Sequence, residues 1–240
     1  MAEIKALIFD VDGTLADTER DGHRVAFNRA FKDAGLDWEW DVALYGKLLS
    51  VTGGKERIKY FLDEFNQTFT KPEAFDEFVA GLHAQKTEHY KQMMKEGLIP
   101  LRPGVESLIR EARDAGIPMS IATTTTMDNV TSLLESTLGA ESIAWFDQIG
   151  AGDIVPKKKP APDIFVWVLE QMGLKGDEVI GFEDSGHGVT SAADAGITRI
   201  VVTTNDYTEN QNFDRATVVL PAMQGPDVKT PVTLAFLNSL

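Results

Sequence analysis

Apolar and polar positions follow two rhythms along this chain, and the change of rhythm divides it. Near the start, Ala6-Leu7-Ile8-Phe9 is an unbroken apolar run, the pattern of a strand buried on both faces as in parallel sheets. From about residue 17 to 98 the spacing is helical only. Phe27, Ala30, Phe31 and Ala34 mark one face of a helix that Gly35 stops. Residues 36–40 read as a corner, and 41–49 as a short helix with Asp41 at its N-cap. A further helix opens at Val51-Thr52-Gly53-Gly54 and runs to about Phe65. Pro72 precedes a long one, 73–96, with Phe75, Phe78, Val79 and Leu82 as its apolar stripe.

From Arg102-Pro103-Gly104 onward, helices alternate with strands. Pro103 stands at a helix start, Val105, Leu108, Ile109 and Ala112 face inward, and Gly116 ends the turn. Strands are predicted at 117–122, 146–149, 179–182, 199–203 and 216–220, and helices at 128–138, 162–172 and 188–195. Such alternation implies a parallel sheet with helices on both faces. The expected fold is α/β: a Rossmann-like, doubly wound parallel sheet core from residues 1–16 and 99–240, interrupted by an all-helical cap domain at 17–98.

Composition narrows the classes of function. The 240 residues are 43% hydrophobic and 25% charged, ordinary for a water-soluble chain. No cysteine is present, which excludes disulfides, thiolate metal sites and cysteine nucleophiles. No apolar run approaches the ~20 residues of a membrane span. The first strand begins near Ile4, leaving no room for a leader, so a cytoplasmic location is expected, or the chloroplast stroma for a processed form. With 23 basic against 37 acidic residues the net charge is −14. That disfavours nucleic acid, whose phosphates need a basic surface. A small anionic substrate would need a local set of cations or a metal. The chain is expected to act as a monomer, and composition alone still allows a helical binding module.

Candidate chemistry gathers at strand ends. Asp10-Val-Asp12-Gly13-Thr14 follows the first strand, and Gly13 lets the chain turn so that both acids can converge on one centre. A solvated strand-to-loop junction is the plain alternative. Three further strand ends carry Thr123, the Lys157-Lys158-Lys159-Pro160 run, and Glu183-Asp184. In a parallel sheet these ends share one edge, where open α/β folds bind ligands. Asp10, Glu183 and Asp184 make an all-oxygen set suited to Mg²⁺ more than Ca²⁺.

In that order the four segments resemble the motifs of the haloacid dehalogenase-like phosphohydrolases. The resemblance implies Asp10 as the phosphoryl-accepting nucleophile, and Asp12 as general acid/base that also gives the metal a backbone carbonyl. It implies Thr123 as the phosphoryl-holding hydroxyl and Lys159 as the charge-offsetting lysine. Glu183 and Asp184 become metal acids, directly or through water. Thr124 and Thr125 are expected to contact the phosphoryl group, Thr126 to cap a helix, and Lys157, Lys158, His89 and His187 to lie at the surface or behind the site.

A helical cap after the first motif is the arrangement of the β-phosphoglucomutase and phosphoglycolate-phosphatase-like branch. The stretches 17–28, 53–57 and 81–88 resemble CbbY-type xylulose-1,5-bisphosphate phosphatases, as do Trp40 to Gly46 and Val155 to Pro160. The resemblance implies a phosphorylated sugar as partner and a tie to Rubisco maintenance in the Calvin cycle. Glu19, His23, Gly53, Gly54, Lys55, Arg57, His83 and Lys86 become its cap contacts. A bisphosphate agrees with the charges, since a second phosphate needs cations of its own; the small Gly53-Gly54 pair at a helix start suits an anion. A β-phosphoglucomutase-like phosphotransferase and a broad-range sugar phosphate phosphatase share the same core residues and stay open. A dehalogenase does not need the second acid at Asp12, and a non-catalytic module leaves the four motifs unexplained.

Overall fold

The computed structural model describes residues 4–51 and 53–240, so Thr52 in the predicted helix opening and residues 1–3 of the predicted core lie outside it. The chain divides into two compact units, residues 1–17 with 99–240, and residues 18–98.

In the first unit six parallel strands form one sheet: β1 (Ala6–Phe9), β2 (Met119–Ala122), β3 (Gln148–Gly150), β4 (Val179–Glu183), β5 (Arg199–Thr203) and β6 (Val218–Leu220). Their spatial order is β3-β2-β1-β4-β5-β6. The chain grows outward on one side of β1 and then returns to its other side, so β1 is where strand order reverses. Ligands of open α/β sheets bind at such a reversal, beyond the carboxyl ends of the strands. The apolar run of β1 is fully buried, with neighbours paired on both edges and side chains enclosed on both faces. Ala6 and Ile8 pack in one core with Ile164, Phe165, Val168, Val189, Ala192 and Ile200. The Phe9 ring stacks on Phe182 of β4 at 4.6 Å, fastening the two central strands just below their carboxyl ends.

Among the described residues, four α-helices longer than one turn belong to this unit: Val105–Asp114, Met127–Leu138, Asp163–Met172 and Gly186–Asp194. They match the periodicity, with shifted ends. The predicted strand at 117–122 starts later, at Met119, since Pro118 has no N–H for the ladder. The strand expected at 146–149 is displaced to Gln148–Gly150 because Phe146 still closes a turn on the Ile143 carbonyl. The helix expected from Gly188 begins at Gly186, where the Ser185 hydroxyl accepts from the Gly188 N–H at 3.1 Å. A 3-10 stretch at Ala140–Trp145 and a one-turn helix at Leu234–Leu237 have no sequence forecast; both are too short to show a period.

The second unit is helical: α1 (Arg24–Asp33), α2 (Val42–Leu48), α3 (Gly54–Glu64) and α4 (Phe75–Lys95), preceded by a π-helical stretch at Thr18–His23. Asp41 caps α2 by accepting from the Leu44 N–H at 2.7 Å. The corner after α1 is pinned by Asn28, whose side chain donates to the Trp40 carbonyl at 2.9 Å and accepts from the Trp40 N–H at 2.8 Å. That orients Trp40 into an aromatic core, 4.7 Å from Phe27 and 4.8 Å from Phe31. Truncating Phe182 to Ala should cost ~3–5 kcal/mol, the range for buried aromatics. Chemical denaturation followed through the sheet unit checks it.

Candidate active site

The end of β1 delivers Asp10 and Asp12 to one cavity of about 400 Å³, lined also by Thr124, Lys158, Lys159, Glu183, Asp184, Ser185 and His187. The chain reverses immediately after Asp12. Gly13 adopts φ +85°, and a Cβ there would stand 2.1 Å from Asp184 Oδ2. Both conformation and space therefore require glycine. The turn closes by Gly13 N–H donating to the Ala16 carbonyl at 2.7 Å and Leu15 N–H to that of Val11 at 2.9 Å. Thr14 is buried, and its hydroxyl donates to Asp10 Oδ2 at 3.3 Å.

The side chain of Lys159 organises the carboxylates. Its ammonium donates to Asp10 Oδ1 and Glu183 Oε1, both at 2.6 Å, and to the Ala122 carbonyl at 2.9 Å. Burial disfavours its charge, but Asp10 and Glu183 together hold its pKa above the usual lysine value. Burial raises the pKa of Glu183 and, well above normal, of Asp184; the neighbouring acids add to it, while Lys159 opposes. Asp184 has a further support, the Asn205 amide donating to its Oδ2 at 2.7 Å.

Asp10, Glu183 and Asp184 each bring a carboxylate oxygen within 4.8 Å of the others, and all three are buried. Three acids facing one lysine are under-compensated, and an all-oxygen set of this density fits a hard divalent cation. The side chain of Asp12 is not in this group; the role expected for Asp12 at the metal was through its carbonyl.

Of the threonines, Thr124 is exposed and lines the cavity, whereas Thr123 is 1% exposed and its hydroxyl accepts from the Thr125 N–H at 3.3 Å. The Thr125 hydroxyl accepts from Asn129, and Thr126 caps the following helix. Lys158 is not merely solvated: it pairs with Asp153 at 2.7 Å and donates to the Gly152 carbonyl. His187 lines the cavity, and His89 pairs with Asp33 at 2.8 Å.

A second polar cluster lies inside the helical unit. Tyr45 donates to Glu19 Oε2 at 2.6 Å and accepts from Arg57 Nη1 at 2.8 Å. Lys86 is 8% exposed, and its ammonium meets His23 Nδ1 at 2.8 Å, over the rings of Phe27 at 5.1 Å and Tyr90 at 5.3 Å. Burial lowers the Lys86 pKa to about 8; Arg57 adds to the effect and Glu19 opposes it. Burial also lowers His23 to about 4, against Glu19 and with Lys86, Arg57 and His83. Neutral His23 therefore accepts at Nδ1 and carries its proton on Nε2. His83 packs against Gly54, where a Cβ would stand 2.4 Å from its ring, and its own pKa is lowered by burial and then by Lys86 and Lys55. Gly53 is the N-cap of α3, and Lys55 is exposed in its first turn. Arg57 is thus tied to Tyr45 and, at 3.9 Å, to Glu19, while among the described residues no carboxylate bonds to Lys86.

Thr14, Asn205 and Tyr45 escape sequence reasoning. Thr14 had a signal in its place within the first motif and Tyr45 in the Trp40 to Gly46 stretch; Asn205 had none.

The model of the haloacid dehalogenase-like hydrolases matches residues 4–196, and the chain belongs to that family. Its relatives narrow the class to CbbY-type phosphatases. Protein CbbY of Cupriavidus necator is 43% identical over 228 residues, 95% of this chain and 89% of that protein. A CBBY-like protein of Arabidopsis thaliana is 40% identical over 98% of this chain and 74% of its own length. The crystal structure of CbbY (mutant D10N) from Rhodobacter sphaeroides in complex with xylulose-(1,5)bisphosphate is 42% identical with a TM-score of 0.73, covering 91% of this chain and 94% of that one.

His23 sets a pH dependence for folding. Below its ordinary pKa of 6.5 the unfolded chain binds a proton that the folded one refuses until about pH 4. Stability should therefore fall as pH drops from 6.5 toward 4. The groups facing His23 are Glu19, Lys86, Arg57 and His83. Denaturation at a series of pH values checks this, and His23→Gln, which keeps an acceptor for Lys86, should flatten the slope.

Proposed function

We propose that this chain is a Mg²⁺-dependent phosphatase that converts xylulose-1,5-bisphosphate to xylulose 5-phosphate. The observation that carries the chemistry is the Asp10 carboxylate held by Lys159 in the same cavity as Asp12. The substrate rests on likeness to a CbbY whose crystal structure holds xylulose-1,5-bisphosphate.

Asp10 attacks phosphorus in line, forming an aspartyl-phosphate as the bond to the sugar oxygen breaks. Lys159 orients the Asp10 carboxylate, and its ammonium offsets charge on the transferring group. Asp12 gives a proton to the leaving sugar oxygen, then takes one from the water that attacks the aspartyl-phosphate. Such proton transfer contributes ~10²–10⁴-fold. The Thr124 and Thr125 amides and the Thr123 hydroxyl are assigned to the phosphoryl oxygens. Held by Asp10, Glu183, Asp184 and the Asp12 carbonyl, Mg²⁺ would supply positive charge to the phosphoryl oxygens. Lys86, Lys55, Arg57, His83 and the Gly53-Gly54 amides are assigned to the phosphate that is not transferred. Glu19 and His23 are assigned to the sugar.

Phosphate release with Mg²⁺ should be fastest on xylulose-1,5-bisphosphate when it is compared with ribulose-1,5-bisphosphate, β-glucose-1-phosphate and phosphoglycolate. Asp10→Asn should abolish release from every substrate while preserving the fold. Flat, weak activity across the panel would remove the substrate assignment and keep the chemistry. Lys86→Met should raise KM for the bisphosphate at least ~10-fold, as loss of a buried charge contact of 1.4 kcal/mol or more implies. The same variant should leave hydrolysis of p-nitrophenyl phosphate, which has no second phosphate, nearly unaltered.

A further inference from the structure

No step above uses Arg102, although it is 7% exposed inside the sheet unit. So enclosed a charge is uncommon unless it is paired. Its Nε lies 3.2 Å from Asp17 Oδ1. Nη1 donates to the Gly13 carbonyl, to the Thr203 carbonyl at 2.9 Å and to the Thr203 hydroxyl at 3.1 Å. Nη2 donates to the Thr204 carbonyl and to that of Pro221 at 3.1 Å. The Arg102 N–H donates to the Leu15 carbonyl at 2.8 Å, and Ala16 bridges to Leu101 beside it. Asp17, predicted to open the helical segment, therefore groups with the sheet unit through this guanidinium.

These contacts connect the two halves of the carboxylate site. Gly13 is the turn that directly follows Asp12. Thr203 ends β5, and Thr204 leads on into Asn205, which holds Asp184 Oδ2 at 2.7 Å. A Cβ on Gly13 would stand 2.8 Å from the Asn205 amide, so the two segments are in close contact where Arg102 ties them. A planar fork can bond several carbonyls in fixed directions, and a lysine ammonium cannot reproduce it.

We infer that Arg102 is a positioning residue for phosphoryl transfer: its guanidinium holds the Asp10–Asp12 turn in register with the Asn205-supported Asp184 carboxylate. The inference rests on the reading of Asp10 and Asp12 as the reacting pair. A carboxylate displaced by about 1 Å can cost ~10²-fold in rate without altering what binds.

Arg102→Lys and Arg102→Ala are compared with wild type on p-nitrophenyl phosphate with Mg²⁺, alongside melting curves and a calorimetric Mg²⁺ titration of each protein. Expected are a kcat lower by ~10²-fold at nearly constant KM and a weaker Mg²⁺ isotherm, with turnover of Arg102→Ala partly restored by added guanidinium ion. A folded Arg102→Ala with wild-type kcat and wild-type Mg²⁺ affinity would overturn the inference. So would losses that follow the melting temperature alone and that guanidinium does not reverse. If neither variant folds, Asp17→Asn and Thr203→Val decide: a lower kcat at constant KM supports the role, and unchanged kcat removes it. The Mg²⁺ titration judges Arg102 even if wild type releases no phosphate, an outcome that would undo the reading of Asp10 and Asp12 instead.

Discussion

One lysine ammonium lies between two buried carboxylates, and the architecture of the sheet unit serves that contact. Lys159 meets Asp10 and Glu183 at 2.6 Å each, with Asp184 beside them. Without Lys159 three acids would crowd a low-dielectric space, and their charges would be costly. With it, Asp10 is aimed and an excess of negative charge remains for a divalent cation. Neighbouring strands make the grouping possible: β1 and β4 pair directly, so acids at their carboxyl ends emerge side by side. The stacked Phe9 and Phe182 rings fix the height of both ends.

A buried cluster within the helical unit carries the opposite imbalance. Lys86, Arg57, His23 and His83 gather with Glu19 as the counter-charge among the groups that act on His23. Burial depresses both Lys86 and His23, so the surroundings oppose charge on either side chain. Groups kept in such an arrangement are understandable as a receiver for an anion, which would restore the charge that burial opposes. The sheet unit thus gathers acids, and a buried cluster of the helical unit gathers cations.

Sequence periodicity made the sheet, its parallel character and most helices legible, because apolar spacing reports burial directly. The run at Ala6–Phe9 and the acids at the ends of two strands were enough to group Asp10, Glu183 and Asp184, while Lys159, expected at a strand end, lies nine residues beyond Gly150 in the loop after β3 and was identified through the family motif. Residues that act through distant partners were not legible. Asn205 meets Asp184 across 21 positions and Arg102 meets Gly13 across 89, separations at which no local pattern exists. The four consecutive threonines were told apart by position in the sequence, and Thr126 caps its helix as expected, but their burial was not legible. Only packing tells that Thr123 is enclosed while Thr124 faces the cavity.

The most direct test of the central claim is to quench the enzyme in acid during turnover and map its mass by peptide. The account predicts a single phosphoryl group on the peptide that contains Asp10, lost on incubation with hydroxylamine and absent from Asp10→Asn. Rapid phosphate release with no adduct at any time point, or an adduct elsewhere, would contradict it.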